Sequence, residues 1–178
     1  MRIIQGKHKN RRFVIPKKIK IRPTTDRAKE SLFNILDNMY DLNETKTLDL
    51  FSGSGNISYE FCSRGAIVTS VEMNQKCISF ITETSKKFGM NNFIYKKDVF
   101  RFLNTCEEKY NIIFADPPFN FEKDIYSKLI KLIFDKKVIS DNGLLIIEHS
   151  GFLNFKQHKK FMKSKKYGDV NFSFFKEL

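Results

Sequence analysis

The chain has 178 residues, enough for one domain with a substantial core and too few for two. Its formal net charge of +12 favours a polyanionic partner. Cys62, Cys77 and Cys106 form no CxxC pair, His8, His149 and His158 lack metal-ligand spacing, and no apolar run reaches membrane length, so a cytoplasmic monomer without metal is expected.

The basic charge is concentrated at the start. Nine of the first 22 residues are Lys or Arg, and none is acidic. Arg2, Lys7, Lys9, Arg11, Arg12 and Arg22 are the residues expected to meet phosphates, on an extended segment 1–22 with short β pairs (Arg2–Ile4, Phe13–Ile15) around a turn near Lys9–Asn10. Arg22-Pro23 biases the junction to extended geometry, and Thr24, Thr25 or Asp26 can cap a helix whose apolar face is Ala28, Leu32, Ile35, Leu36 and Met39.

From residue 46 the pattern reads strand, SGSG turn, a helix ending at Gly65, and the strand AIVTSVE, which is a βαβ unit. A helix over Asn74–Phe88 stops at Gly89, a short strand near Phe93–Tyr95 precedes Asp98, and Val99–Leu103 starts another helix. Tyr110–Ala115 is apolar throughout, as a central parallel strand should be. A helix across Ile125–Phe134 and a buried strand GLLIIEH bounded by Asn142-Gly143 follow, then two strands around Gly168-Asp169. The expected fold is α/β, a Rossmann-like seven-stranded sheet closed by an antiparallel C-terminal hairpin, with a small N-terminal β extension. Residues 1–22 form the basic extension and 23–178 the catalytic domain.

Two constellations carry chemistry. Asp49-Leu50-Phe51-Ser52-Gly53-Ser54-Gly55 lies where a strand gives way to a helix, and ligands of open α/β sheets bind at strand carboxyl ends. Ser58 stands where the dinucleotide fingerprint has its third glycine, and Asp49 suits an ammonium better than a diphosphate. Glu72 ends the next strand, where an acid accepts ribose hydroxyls, and Asp98 can accept from an adenine amino group. S-adenosylmethionine, which carries no phosphate, suits this set.

Asp116-Pro117-Pro118-Phe119 is the more specific signal. An exocyclic base amine is a poor nucleophile because its lone pair is delocalised into the ring. Asp116 and the Pro117 carbonyl can accept its two N–H groups, the prolines hold that carbonyl rigidly, and Phe119 offers an extruded base a stacking face. A loop exit merely stiffened by prolines is the structural alternative.

The pieces RPTTDRAKESLFNIL, LDLFSGSGNISYEFCSRGA, VTSVEMN, FADPPF, GLLIIEH and YGDVNFSFFK, with the basic opening, resemble the RsmD-type 16S rRNA guanine N2-methyltransferases over nearly the whole chain. The resemblance implies a methyltransferase that modifies one guanine of small-subunit ribosomal RNA: Asp49, Phe51, Ser52, Gly53, Gly55, Glu72, Met73, Asp98 and Val99 would hold the cofactor, and Asp116 to Phe119 the base.

 The implied partner is small-subunit rRNA within an assembled or assembling 30S particle. Thr24, Thr25 and Arg27 match a loop that would close over the cofactor and approach the RNA. Two positions depart from the family, where Ser58 and Asn10 replace glycines. Asn10 tolerates a left-handed backbone, whereas Ser58 is expected to loosen helix packing behind the cofactor loop without touching the chemistry.

Three other functions compete. A DNA adenine or cytosine amino-methyltransferase would use the same Asp-Pro-Pro-Phe chemistry, but the chain has no room for a separate target-recognition region. A non-catalytic ribosome-binding protein on the same fold is disfavoured by the intact Asp49, Glu72, Asp116 and Phe119. A membrane-bound arm lacks the apolar face that would accompany its lysines.

Overall fold

The structure, a computed structural model, describes residues 1–21, 24–118 and 120–177, so Arg22-Pro23 and Phe119 lie outside the described residues. In chain order the elements are α1 (Asp26–Asp37), β1 (Lys46–Leu50), α2 (Asn56–Ser63), β2 (Ile67–Glu72), α3 (Gln75–Phe88), β3 (Asn92–Lys96), α4 (Val99–Thr105), β4 (Tyr110–Ala115), α5 (Lys123–Asp135), β5 (Ile139–Ser150), β6 (Phe161–Tyr167) and β7 (Val170–Lys176).

The strands form one sheet in the order β3-β2-β1-β4-β5-β7-β6. β1 to β5 pair in parallel, whereas β7 runs antiparallel between β5 and β6. This is the Rossmann-like sheet with a terminal hairpin expected from the sequence. The order reverses between β1 and β4, so a crevice opens at their carboxyl ends.

Alternation along the strands fills both faces. Val68, Ile112, Phe114 and Ile146 pack with α1, α2 and α3, while Leu50, Val71, Ile113 and Ile147 pack with α4 and α5. Capping fixes where the helices begin: the Thr25 hydroxyl accepts from the Ala28 N–H, and the Asn74 and Asp98 side chains cap α3 and α4. Strand β5 starts earlier than the sequence suggested. It runs back across Asn142 (φ 63°), with the pairing register shifted between Tyr110 and Ile112, so the Asn142-Gly143 break is an irregularity within the strand.

Residues 1–21 lie against the domain. Arg2 bridges Arg12 in antiparallel fashion, and Asn10 takes the left-handed conformation its turn needs (φ 66°). The Ile4 and Gln5 N–H groups donate to the two oxygens of Glu60 at 2.8 and 3.0 Å. Lys29, fully buried, donates to the Arg2 carbonyl and to Asn56, and its Nζ lies 3.5 Å from Glu60. Gly6 is required here, because a Cβ would sit 1.9 Å from the Ser63 carbonyl oxygen.

Candidate active site

The β1–α2 turn is wound tightly, with Phe51, Gly53 and Gly55 all at positive φ. At Gly55 (φ 80°) a Cβ would sit 2.8 Å from the Tyr59 ring of α2 and 3.0 Å from Ile81 of α3, so both the left-handed backbone and the close approach of these side chains favour glycine there. The Ser52 hydroxyl donates to the Asp49 carbonyl at 2.7 Å and closes the turn. Glu72 holds the turn from the next strand. One of its oxygens accepts from the Gly53 N–H, the other from the Met73 and Asn74 N–H groups, each at 2.8 Å.

Asp116 follows β4, and its N–H donates to the Leu50 carbonyl at 3.3 Å, which ties the Asp-Pro-Pro segment to the end of β1. A single cleft of about 420 Å³ results, in which Asp49, Gly53 and Glu72 share a wall with Asp116, Pro117 and Pro118. The two constellations of the sequence therefore open onto the same space.

The cleft is built to receive positive charge. Burial pushes the Asp49 carboxyl up to about 7, against the hydrogen bond from Ser58, with Glu72 and Glu148 adding repulsion. Burial, then the neighbouring Glu148 and Asp49, raise Asp116 well above the usual carboxylate range. A ligand bearing sulfonium and ammonium charges relieves that repulsion, whereas a diphosphate would add to it.

The family described as Conserved hypothetical protein 95 matches residues 1–176. Ribosomal RNA small subunit methyltransferase D of Buchnera aphidicola subsp. Baizongia pistaciae is 33% identical over 86% of this chain and 78% of its own. The Escherichia coli K12 protein of that name is 31% identical over 83% of this chain and 74% of its own. Among solved structures, the putative methyltransferase yhhF from Escherichia coli superposes with a TM-score of 0.84 at 28% identity, covering 98% of this chain and 96% of that one. The chain belongs to the RsmD family.

Several family-pattern residues take places the sequence did not indicate. Ser58, expected to loosen packing, is fully buried; it donates to Asp49 and lies 2.8 Å from the Ser70 hydroxyl. The expectation failed because a serine fits where the strand pair offers two polar partners. Thr24, assigned to the RNA face, is buried in the cleft wall and donates to Glu148 at 2.8 Å, and Thr25 is engaged in capping α1. Arg27 is exposed.

Phe51 and Ser52 line the cleft. Met73 points outward, 64% exposed; Asp98 caps α4 through the Arg101 N–H, and Val99 is buried under that helix. On the arm, Arg2 lies 3.7 Å from Asp26 and Arg11 sits over the Phe88 ring at 4.3 Å, while Lys7, Lys9 and Arg12 are exposed. Glu148 was missed as a site residue. It stands near the carboxyl end of β5, and its signal was an acid directly after the buried apolar run Leu144–Ile147.

Proposed function

We propose that this RsmD-family chain transfers a methyl group to the exocyclic N2 of a guanine in 16S rRNA, with an assembled or assembling 30S particle as substrate. S-adenosylmethionine is the cofactor and supplies the electrophilic methyl. The observation that carries the reading is the shared cleft: the acids suited to a cationic cofactor and the Asp-Pro-Pro segment suited to a base amine line one space.

In this reading Asp49 receives the ammonium of the cofactor and Glu72, already oriented by three backbone N–H groups, takes the ribose hydroxyls. Asp116 and the Pro117 carbonyl accept the two N–H groups of the guanine amine and aim its lone pair. Phe119, next after the prolines in sequence, is the expected stacking residue. The basic arm tracks the RNA backbone. The test is transfer of labelled methyl to small-subunit particles lacking the modification, followed by nucleoside analysis. N2-methylguanosine is expected; label on adenine or cytosine would overturn the base assignment.

A further inference from the structure

A second cavity, about 500 Å³, lies between the start of α5 and the loop joining β5 to β6. Its lining includes Lys123, Ser127, Asn154, Phe155, Lys156 and His158, with no acid among its lining residues. The loop is pinned by Phe155, which is buried against Tyr126 and Phe175 at ring distances of 6.0 and 5.7 Å. Successive turns order the rest, with the His158 N–H bonded to the Phe155 carbonyl and the Phe161 N–H to the His158 carbonyl.

Hydrogen bonding fixes what these side chains can offer. The Asn154 carbonyl oxygen already accepts from the Lys156 N–H at 2.9 Å, which leaves its amide NH2 as a donor. His158 Nδ1 accepts from the Lys160 N–H at 3.2 Å, so the ring proton resides on Nε2. Ser127 donates to the Lys123 carbonyl and is the exception, an acceptor. Two ammonium groups, an amide NH2 and an imidazole N–H thus face one cavity, and an acceptor-only anion suits them.

The surroundings name the anion. Between residues 149 and 168 the chain has six lysines and no acid, and Phe152 on the same loop is 99% exposed. Basic side chains interleaved with an exposed aromatic suit single-stranded RNA, whose phosphates and bases they meet together. Lys123 lies five positions after Pro118, a span of at most ~17 Å. The cavity therefore lies within a few nucleotides of any base held at Asp116. Resting on the rRNA reading above, we propose that it binds a backbone phosphate of the RNA flanking the target nucleotide, with Phe152 stacking on a neighbouring base.

The test uses the full chain, refolded small-subunit rRNA as probe, and a salt series. In the Lys123→Gln/Lys156→Gln variant, RNA affinity should fall about tenfold and the slope of log K against log salt should become shallower by about one to two. Phe152→Ala should also weaken RNA binding about tenfold, with the slope kept. Cofactor affinity should not change, and Lys136→Gln/Lys137→Gln, at the opposite end of α5, should behave as wild type. An unchanged slope in the Lys123/Lys156 variant would overturn the proposal. So would saturation of the cavity by inorganic phosphate with no loss of RNA binding, which would make it a small-anion site. Because the slope is read without catalysis, a wild-type chain that binds RNA but transfers no methyl would refute the function above and leave the cavity's role standing.

Discussion

Ser58 and Asp49 are joined by a hydrogen bond at the floor of the cleft, with the Ser58 hydroxyl donating to an acid that has no exposure to solvent to speak of, 1%. That bond favours the ionised carboxylate against the desolvation that opposes it. Ser58→Ala removes it. Asp49 should then titrate about one unit higher, and cofactor affinity at pH 7 should fall roughly fivefold. Calorimetry across pH reads both; an affinity unchanged at every pH would mean that Asp49 does not meet a cationic group.

In the wild type, Asp49 titrating at about 7 sets a pH dependence whose sign is fixed. The folded chain holds this proton more tightly than the unfolded chain, so the group's contribution to stability is lost as pH rises from near 4 through 7. Binding a cation reverses the preference. Cofactor affinity should rise with pH up to about 7 and level off above it, with proton release on binding near pH 6. Titration in buffers of different ionisation enthalpy would show that release; binding that takes up protons would contradict it.

Glu60 holds the arm through its contacts with the Ile4 and Gln5 N–H groups, Lys29 and Arg64. Breaking a buried ion pair from one side leaves the partner charge stranded, at about 3–5 kcal/mol. Glu60→Ala should lower the melting temperature and speed amide exchange at Ile4 and Gln5. Lys29→Met should be milder at the arm, since Glu60 keeps its backbone donors. Unchanged exchange at Ile4 in Glu60→Ala would show that other contacts hold the arm.

Much of this was legible in the residues. Apolar strands and the glycine or Asx caps, such as Gly89 and Asn74, mark a parallel α/β sheet locally, and Asp49 and Asp116 announce themselves at strand ends. What was not legible depends on contacts between distant segments. Lys29 and Glu60 are 31 positions apart, and nothing in either neighbourhood marks them as partners. Thr24 turns inward because Glu148 waits there, 124 positions later. Ser58 looked like a packing defect because its two partners, Asp49 and Ser70, lie on adjacent strands.

Glu72 has two tasks, and substitution can separate them. Its oxygens hold the Gly53, Met73 and Asn74 N–H groups while the carboxylate faces the cleft. Glu72→Ala should weaken cofactor binding at least about tenfold, since hydrogen bonds to a charged group contribute about 1.5–3 kcal/mol each. It should also speed amide exchange at Gly53. Glu72→Gln keeps the volume but turns an NH2 toward backbone donors on one side, and should lie between. Unchanged cofactor affinity in Glu72→Ala would remove this acid from the site.

Asp116 is the residue on which the chemistry turns. Burial and the nearby Glu148 and Asp49 raise its pKa well above the usual carboxylate range, so in the free chain its carboxylate is disfavoured. Only the ionised form can accept the amine N–H without offering a competing proton. Cationic cofactor in the cleft should therefore favour that form, and transfer should quicken as pH rises at saturating cofactor. Asp116→Asn preserves the volume but weakens the acceptor and removes the titration. Single-turnover transfer to small-subunit particles should fall about 10² to 10³-fold, by analogy with loss of one positioned group in a water-excluded site, and the pH dependence should flatten. Cofactor affinity should stay within a few-fold of wild type, because the group acts on the amine. Normal transfer by Asp116→Asn would leave the Asp-Pro-Pro segment a structural exit from β4 and restore the non-catalytic reading of the fold.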